Sequence, residues 1–352
     1  MSIGIARVAA TALFSCCCLM VALPATAAAA RSGGSSGPLY NAIFNFGDSG
    51  SDAGNLCVDG RPGPTGLLGI FTRLPYGVTY FGKPTCRCSD GRVNIDFLAR
   101  AFGLPFPLPS KAPRKDFQRG ANMAIIGGTV LDYSNASLKF TAYDGSMNTQ
   151  IDNFQQLLPS ICGTQQSCKM YLAKSLFVFR LGENDYSIQL KLMTLGAVDI
   201  VVSNIALMGC FPFYLSMFES SNKSDYDKYG CLRNHNALFK RHNSFLQSSL
   251  PKLQKKHPHA RIMYADLASH IYQIVQDPRK FGFETAFMSC CGKAGAPHRF
   301  DLFTLCGMDG SSVCHDPASH LLWDGMHLSD TANRRIAEGW LSGPYCHPPI
   351  LQ

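Results

Sequence analysis

Three side chains with the chemistry for nucleophilic catalysis lie near opposite ends of the chain. Ser49 stands in the glycine-rich stretch 47–50, directly after an apolar run, and Asp324 and His327 stand three positions apart near the C-terminus. A serine hydroxyl becomes a useful nucleophile when a base takes its proton and a third group orients that base. The sequence therefore offers Ser49 as nucleophile, His327 as base and Asp324 as orienting carboxylate, although a lone Asp-x-x-His is more common in surface loops and helix caps.

Acyl transfer also needs hydrogen-bond donors for the oxyanion that forms on the carbonyl oxygen, and two segments supply candidates. One is residues 182–185, which contain Asn184, and the other is residues 122–128, which contain Gly127. An asparagine amide and a glycine backbone N–H are common oxyanion donors, and loss of one such donor lowers the rate about 10²- to 10³-fold. Read alone, Gly127 and Gly128 indicate a simple turn more often than an oxyanion site.

Compact apolar runs that are typical of buried strands alternate with segments of helical periodicity. This alternation predicts a parallel sheet with helices on both faces. Ligands of such sheets bind at the carboxyl ends of the strands, where Ser49 and Asn184 would both lie. The predicted strands are 42–46, 175–181, 200–207 and 261–265, and the predicted helices are 95–102, 147–158 and 231–253.

Composition favours a folded protein with one domain. Of the 352 residues, 46% are hydrophobic and 16% are charged, which excludes disorder as the main state. The formal net charge is +8, but the basic residues are scattered, and their densest cluster, 255–259, is typical of a solvated helix end rather than of a nucleic-acid surface. Without a repeat or linker, we expect one domain over 41–346, a flexible leader over 31–40 and a tail over 347–352.

The first thirty residues predict a secretory signal peptide. Arg7 precedes the apolar run 8–23, which is short for a membrane span and is followed by small residues with an Ala-x-Ala pattern. Cleavage near 27–30 would leave twelve of the fifteen cysteines, an even number that suits disulfides in an oxidising compartment. The pairing stays open. We therefore predict a protein secreted to the extracellular space or cell wall, with no transmembrane segment.

Two further predictions concern glycans and metals. Asn135 and Asn222 begin Asn-x-Ser sequons, which become N-glycosylation sites if the chain is secreted. The sequence has no His-Glu-x-x-His motif and no paired Cys-x-x-Cys motif, so no metal site is predicted. The sequence does not indicate an oligomeric state.

The candidate residues, taken together, resemble the GDSL esterase/lipase (SGNH hydrolase) family. Its four sequence blocks match residues 46–49, 122–128, 182–185 and 324–327 in this order, and the segments 74–77, 89–92, 209–212 and 290–292 are similar to those of plant secreted members. The resemblance implies a flavodoxin-like three-layer α/β/α sandwich, no cofactor and an acyl ester as substrate. It also implies Ser49, Asp324 and His327 as the catalytic triad, with the Ser49 N–H, Gly127 and Asn184 as the oxyanion hole.

Two departures from the family leave an alternative open. Gly50 follows the serine where the family often has leucine, and only residues 186–199 separate the Asn184 block from the next predicted strand. Since a parallel crossover needs a dozen or more residues, a shortened crossover would also fit a non-catalytic secreted binding protein of the same fold. A second serine motif, Gly-x-Ser-x-Gly at 33–37, lies in the leader without a strand before it or a helix after it, so its context is wrong for an α/β-hydrolase elbow.

Overall fold

A mostly parallel β-sheet forms the centre of the computed structural model, which describes residues 38–58, 66–113, 115–129, 145–180 and 195–352. The central sheet has seven strands in these ranges, in the order β11-β6-β5-β4-β1-β3-β2, and only β11 is antiparallel to its neighbour. The strands are β1 Ala42–Gly47, β2 Leu108–Pro109, β3 Gly120–Asn122, β4 Ser175–Arg180, β5 Asp199–Ser203, β6 Arg261–Ala265, β7 Thr285–Ser289, β8 Cys291–Lys293, β9 Ser311–Val313, β10 His320–Leu322 and β11 Cys346–His347. Strands β7 and β10 pair with each other, as do β8 and β9.

The central strands are apolar on both faces because helices cover both faces. In β1, Ile43 packs into one core cluster, whereas Phe44 and Phe46 pack into the other. The helices, in the same described ranges, are α1 Asn94–Ala101, α2 Met147–Cys162, α3 Gln165–Leu172, α4 Pro212–Met217, α5 Arg233–Lys256, α6 Leu267–Gln276 and α7 Asp330–Ser342. Side chains of α1, α6 and α7 line the first cluster and those of α2, α3 and α5 line the second, which confirms the predicted three-layer α/β/α sandwich.

The predicted strand 200–207 is too long at its C-terminal end. Strand β5 ends at Ser203, and the side chain of the next residue, Asn204, donates to Tyr264 on β6 and to Asp266 after it. Ala206 and Leu207 are buried nonetheless, in core clusters outside the sheet. The apolar pattern therefore predicted the burial of residues 206 and 207 correctly, but it placed the end of the strand too far along the chain.

The short crossover after β4 does not interrupt the sheet. Strands β4 and β5 are parallel neighbours, paired from Leu176 with Asp199 to Phe179 with Val202. Eighteen residues, 181–198, join them, which meets the length that a parallel crossover requires. Residues 181–194 lie outside the described ranges, and so does the predicted strand end at Leu181.

Disulfide bonds cross-link segments around the sheet. In the described ranges, disulfides join Cys57 to Cys86, Cys162 to Cys168, Cys210 to Cys231, Cys290 to Cys314 and Cys291 to Cys306, and Cys88 and Cys346 are free and buried. Disulfides were predicted from the cysteine count, but their pairing could not be. No helix of the described ranges is long and apolar enough to cross a membrane.

The predictions on the chain ends and glycans stay predictions. The signal peptide, the leader up to residue 37 and Asn135 lie outside the described ranges, whereas Asn222 is on an exposed loop. The described residues between 38 and 352 belong to one compact unit, and the predicted tail packs onto it. Ile350 is buried there, and Arg261 donates to the carbonyl oxygens of Ile350 and Gln352.

A buried ion pair anchors the segment that follows the predicted nucleophile. Arg87 donates through two nitrogens to both carboxylate oxygens of Asp96, at 2.9 Å each, and through a third nitrogen to the Ala53 carbonyl oxygen at 3.0 Å. We expect Arg87→Met to lower the free energy of unfolding by about 3–5 kcal/mol, because it leaves Asp96 buried without its partner. Denaturant unfolding measures the loss. The exposed pair of Arg334 and Glu338 is the control: Arg334→Met should cost less than about 1 kcal/mol, and equal losses would contradict the prediction.

Candidate active site

The turn after β1 presents Ser49 at the carboxyl end of the sheet. The backbone N–H groups of Ser51 and Asp52 both donate to the Asp48 carbonyl oxygen, at 3.1 and 3.0 Å, which closes a tight turn around Ser49. Gly47 is required before it, because a Cβ there would lie 2.2 Å from the Ser51 hydroxyl oxygen and 2.9 Å from the carbonyl oxygen of Arg180.

Arg180, at the end of β4, explains the glycine that follows the serine. Its guanidinium donates to the Gly50 carbonyl oxygen, and a Cβ on Gly50 would lie 2.8 Å from the guanidinium carbon. A leucine at this position would therefore require the Arg180 guanidinium to move. Burial raises the pKa of Asp48, and Arg180 and the Gly50 N–H act in the opposite direction.

Ser49, Asp324 and His327 meet in space although 278 positions separate the serine from the histidine. The Nε2 atom of His327 lies 2.9 Å from the Ser49 hydroxyl oxygen. On the other side of the ring, Nδ1 lies 2.8 Å from Oδ2 and 3.0 Å from Oδ1 of Asp324. The arrangement has the geometry by which a base can take a serine proton while a carboxylate holds the ring in one tautomer.

The carboxylate of Asp324 is poised to stay ionised. Burial raises its pKa, but the nearby His327 and the hydrogen bonds from His327 and Tyr76 lower it, and the net shift is below the ordinary value of 3.8. Because folding lowers this pKa, the ionised group contributes stability above about pH 4, and the contribution is lost as the pH falls through the folded-state pKa. An ionised Asp324 can stabilise the imidazolium that forms when His327 takes a proton.

The loop of His327 is fixed on both sides by the backbone and by α7. The Trp323 N–H donates to the His327 carbonyl oxygen at 2.7 Å. Two residues after His327, the Ser329 hydroxyl caps α7, and Arg92 binds Asp330 in its first turn through the backbone N–H and two guanidinium nitrogens. The histidine is therefore held by the rigid start of a helix rather than by a free loop.

Tyr76 adds a fourth member to the hydrogen-bonded chain, and its role was not predicted from the sequence. Its hydroxyl donates to Oδ2 of Asp324 at 2.7 Å, and its buried ring packs edge-on against Phe71 and Trp323. Burial, followed by the charge of Asp324, raises the pKa of Tyr76 well above its ordinary range, so the hydroxyl remains a donor. A buried tyrosine hydroxyl usually has a hydrogen-bond partner, but the sequence does not indicate which residue that partner is.

We expect Tyr76→Phe to lower kcat about tenfold with KM changed less than threefold, because the ring packing remains and only the donor to Asp324 is lost. Steady-state hydrolysis of a nitrophenyl ester measures kcat and KM separately. Tyr40→Phe is the matched control: Tyr40 is also buried, its hydroxyl accepts from Arg261 at 2.8 Å, and it precedes β1 at the opposite edge of the sheet. An equal fall in kcat for both variants would show that Tyr76 has no special connection to the site.

The segment with Gly127 lies beside the nucleophile turn. The Ile125 N–H donates to the Gly47 carbonyl oxygen at 3.3 Å, and a Cβ on Gly128 would lie 2.5 Å from that same oxygen. Gly127 has φ +72°, so the two glycines do form a turn, and this turn is at the predicted site. Asn184 lies outside the described ranges, so only one of the two predicted non-serine donors is placed by the structure.

The described ranges also contain a group of potential metal ligands, Cys290, Cys314 and His320. Its two cysteines form a disulfide with each other. They therefore lack the thiolates that a metal ion would need.

Comparisons with known proteins extend over most of the chain. The family model of the GDSL-like lipase/acylhydrolases matches residues 43–340. A GDSL esterase/lipase of Arabidopsis thaliana is 36% identical in an alignment of length 346, and the alignment covers 88% of this chain and 92% of the relative. The sinapine esterase of Brassica napus is 32% identical in an alignment of length 343, and this alignment covers 88% of this chain and 87% of the relative.

Proposed function

Because the chain belongs to the GDSL-like lipase/acylhydrolase family and is a carboxylic ester hydrolase, we propose that Ser49, His327 and Asp324 carry out the hydrolysis as a catalytic triad. The observation that carries the proposal is the contact of 2.9 Å between His327 Nε2 and the Ser49 hydroxyl oxygen, with Asp324 on the other ring nitrogen. Nothing in this geometry requires a side chain to move before proton transfer.

The reaction proceeds in two halves. In the first, His327 Nε2 takes the Ser49 proton while the serine oxygen bonds to the ester carbonyl carbon, and the tetrahedral intermediate collapses as His327 returns the proton to the leaving alcohol. In the second, His327 takes a proton from water while the water oxygen bonds to the acyl carbon, and this intermediate collapses as His327 gives the proton to the departing Ser49 oxygen, which releases the carboxylic acid. Asp324 stays ionised and stabilises the imidazolium in both halves.

The oxyanion is bound by the Ser49 N–H, the Gly127 N–H and the Asn184 side chain. The position of Gly127 beside the nucleophile turn supports its share of this assignment. The assignment of Asn184 rests on its place in the Gly-x-Asn-Asp block of the family. Donors fixed in place before the reaction stabilise charge that exists only in the transition state and intermediate.

The substrate is an acyl or acetyl ester, small or linked to a polymer, and the enzyme acts outside the cell. Extracellular action is supported by the signal-peptide features of residues 1–30 and by disulfides that suit an oxidising compartment. The name of the Brassica relative, sinapine esterase, supports sinapine as one candidate within this class.

Covalent trapping tests the proposal directly. A fluorophosphonate should label the secreted protein once, and peptide mass spectrometry should place the label on Ser49. Ser35, in the Gly-x-Ser-x-Gly stretch, is the internal comparison if the mature protein retains it. Labelling of Ser35, or hydrolysis by a protein that no phosphonate labels, would overturn the assignment of Ser49.

A further inference from the structure

A second carboxylate of the nucleophile turn, Asp52, bonds backbone rather than side chains. It follows Ser49 by three positions and is fully buried. Its Oδ1 atom accepts from the N–H groups of Gly54 and Asn55, at 2.7 Å each, and its Oδ2 atom accepts from the N–H of Ile126 at 3.0 Å. One carboxylate thus connects the nucleophile turn to the residue directly before Gly127.

The neighbouring Asn55 reinforces the same connection. Its side-chain nitrogen donates to the carbonyl oxygens of Asn122 and Ala124, at 2.7 and 2.8 Å. The Asp52 N–H is itself used to close the turn around Ser49. Together with the bond from the Ile125 N–H to the Gly47 carbonyl oxygen, these bonds hold the segment 122–126 against the nucleophile turn, and the bond to Ile126 is the one nearest Gly127.

Keeping this carboxylate ionised costs stability. Burial raises the pKa of Asp52 to about 6, although the three N–H donors and the nearby Arg87 lower it, and the buried Cys88 thiol also interacts with Asp52. Folding raises this pKa above 3.8, so the folded state binds the proton more tightly than the unfolded chain does. The free energy of unfolding therefore decreases as the pH rises from about 4 to about 6. Such costs persist where the group serves function.

We propose that Asp52 is a positioning residue of the oxyanion hole: its ionised carboxylate holds the Ile126 N–H and thereby orients the adjoining Gly127 N–H toward the oxyanion that forms on attack by Ser49. The proposal rests on the proposed function, in which Gly127 is an oxyanion donor. Asp52 touches no reacting atom and acts only through the backbone of 126–127.

The isosteric variant Asp52→Asn breaks one selected bond. Because two backbone N–H groups point at the Oδ1 position, the asparagine oxygen is expected there, which places its NH₂ group against the Ile126 N–H. Two donors then face each other, and the turn carrying Gly127 shifts. We expect kcat to fall about 10- to 100-fold with KM changed less than threefold, since the oxyanion is absent from the bound substrate.

Asp227→Asn is the matched control. Asp227 is half-buried, and it also accepts from two backbone N–H groups, those of Tyr229 and Cys231, and from a third donor, the Tyr272 hydroxyl. All of these bonds lie away from the nucleophile turn, so we expect kcat within twofold of the wild type. Equal losses in the two variants would mean that buried acceptors matter only for folding, and would overturn the proposal.

The pH profile separates a positioning role from a structural one. In the wild type, protonation of Asp52 as the pH falls through about 6 should steepen the acid-side fall of log(kcat/KM), and Asp52→Asn should remove this steepening and so lower the slope. An unchanged slope, or wild-type kcat in Asp52→Asn, would overturn the role of Asp52. Phosphonate labelling of Ser49 in the same samples keeps the two proposals distinct. A wild type that is not labelled contradicts the triad, whereas with a labelled wild type the slope and kcat of Asp52→Asn test the role of Asp52 alone.

Discussion

Replacement of Ser49 by alanine should lower kcat about 10⁴- to 10⁶-fold while KM changes only a few-fold. The serine oxygen is the atom that bonds to the acyl carbon, so its removal ends the acyl-enzyme route and leaves only what the oxyanion donors and substrate binding contribute. The 2.9 Å contact with His327 is lost as well, but the turn should persist, because its closing bonds are backbone bonds to the Asp48 carbonyl oxygen. Steady-state kinetics with a chromogenic acetyl ester measures the fall.

A second serine controls for purification and folding. Ser175 is fully buried at the start of β4, and its hydroxyl donates to the Tyr171 carbonyl oxygen at the sheet edge opposite Ser49. Ser175→Ala should keep kcat within a few-fold. If Ser49→Ala retained more than about 1% of wild-type kcat, free of contaminating esterase, Ser49 would not be the nucleophile, and the assignment of His327 as its base would fall with it.

The parts of the molecule that could be predicted from sequence are those set by local patterns or by residue type. The run Ala42 to Phe46 is apolar at every position but one, which predicts a strand buried on both faces, and β1 is such a strand. Serine, histidine and aspartate could be nominated from their chemistry and from the likeness of their blocks to a family. Neither prediction depends on which distant segments are in contact.

The remaining features depend on contacts between distant residues. Tyr76 lies 248 positions from Asp324, and Asp52 lies 74 positions from Ile126, so neither partner could be named from local sequence. Arg180 resembles an ordinary strand-end residue until its guanidinium is found against Gly50. The five disulfide pairings of the described ranges were open for the same reason, since twelve cysteines limit the number of disulfides to six but do not indicate which of them pair.

Replacement of Asp324 by asparagine should lower kcat about 10⁴-fold near neutral pH, and the structure indicates how. Oδ1 of Asp324 accepts from the backbone N–H groups of Met326 and His327, at 3.1 and 2.9 Å, so the asparagine oxygen is expected at that position. The NH₂ group then takes the Oδ2 position and donates to Nδ1 of His327. Because Oδ2 is the nearer of the two positions to Nδ1, this favours the tautomer with the proton on Nε2, which cannot accept the proton of Ser49.

A double-mutant cycle of Asp324 with Tyr76 distinguishes this mechanism from a general structural defect. In the wild type the Tyr76 hydroxyl donates to Oδ2 of Asp324, but in Asp324→Asn that position holds an NH₂ group, to which the hydroxyl can no longer donate. Tyr76→Phe, expected to cost about tenfold alone, should therefore cost less than twofold, or restore some activity, in the Asp324→Asn background. The four proteins of this double-mutant cycle are compared by kcat at one pH. Multiplicative losses would mean that Tyr76 does not act through Asp324, because independent residues lower the rate by independent factors.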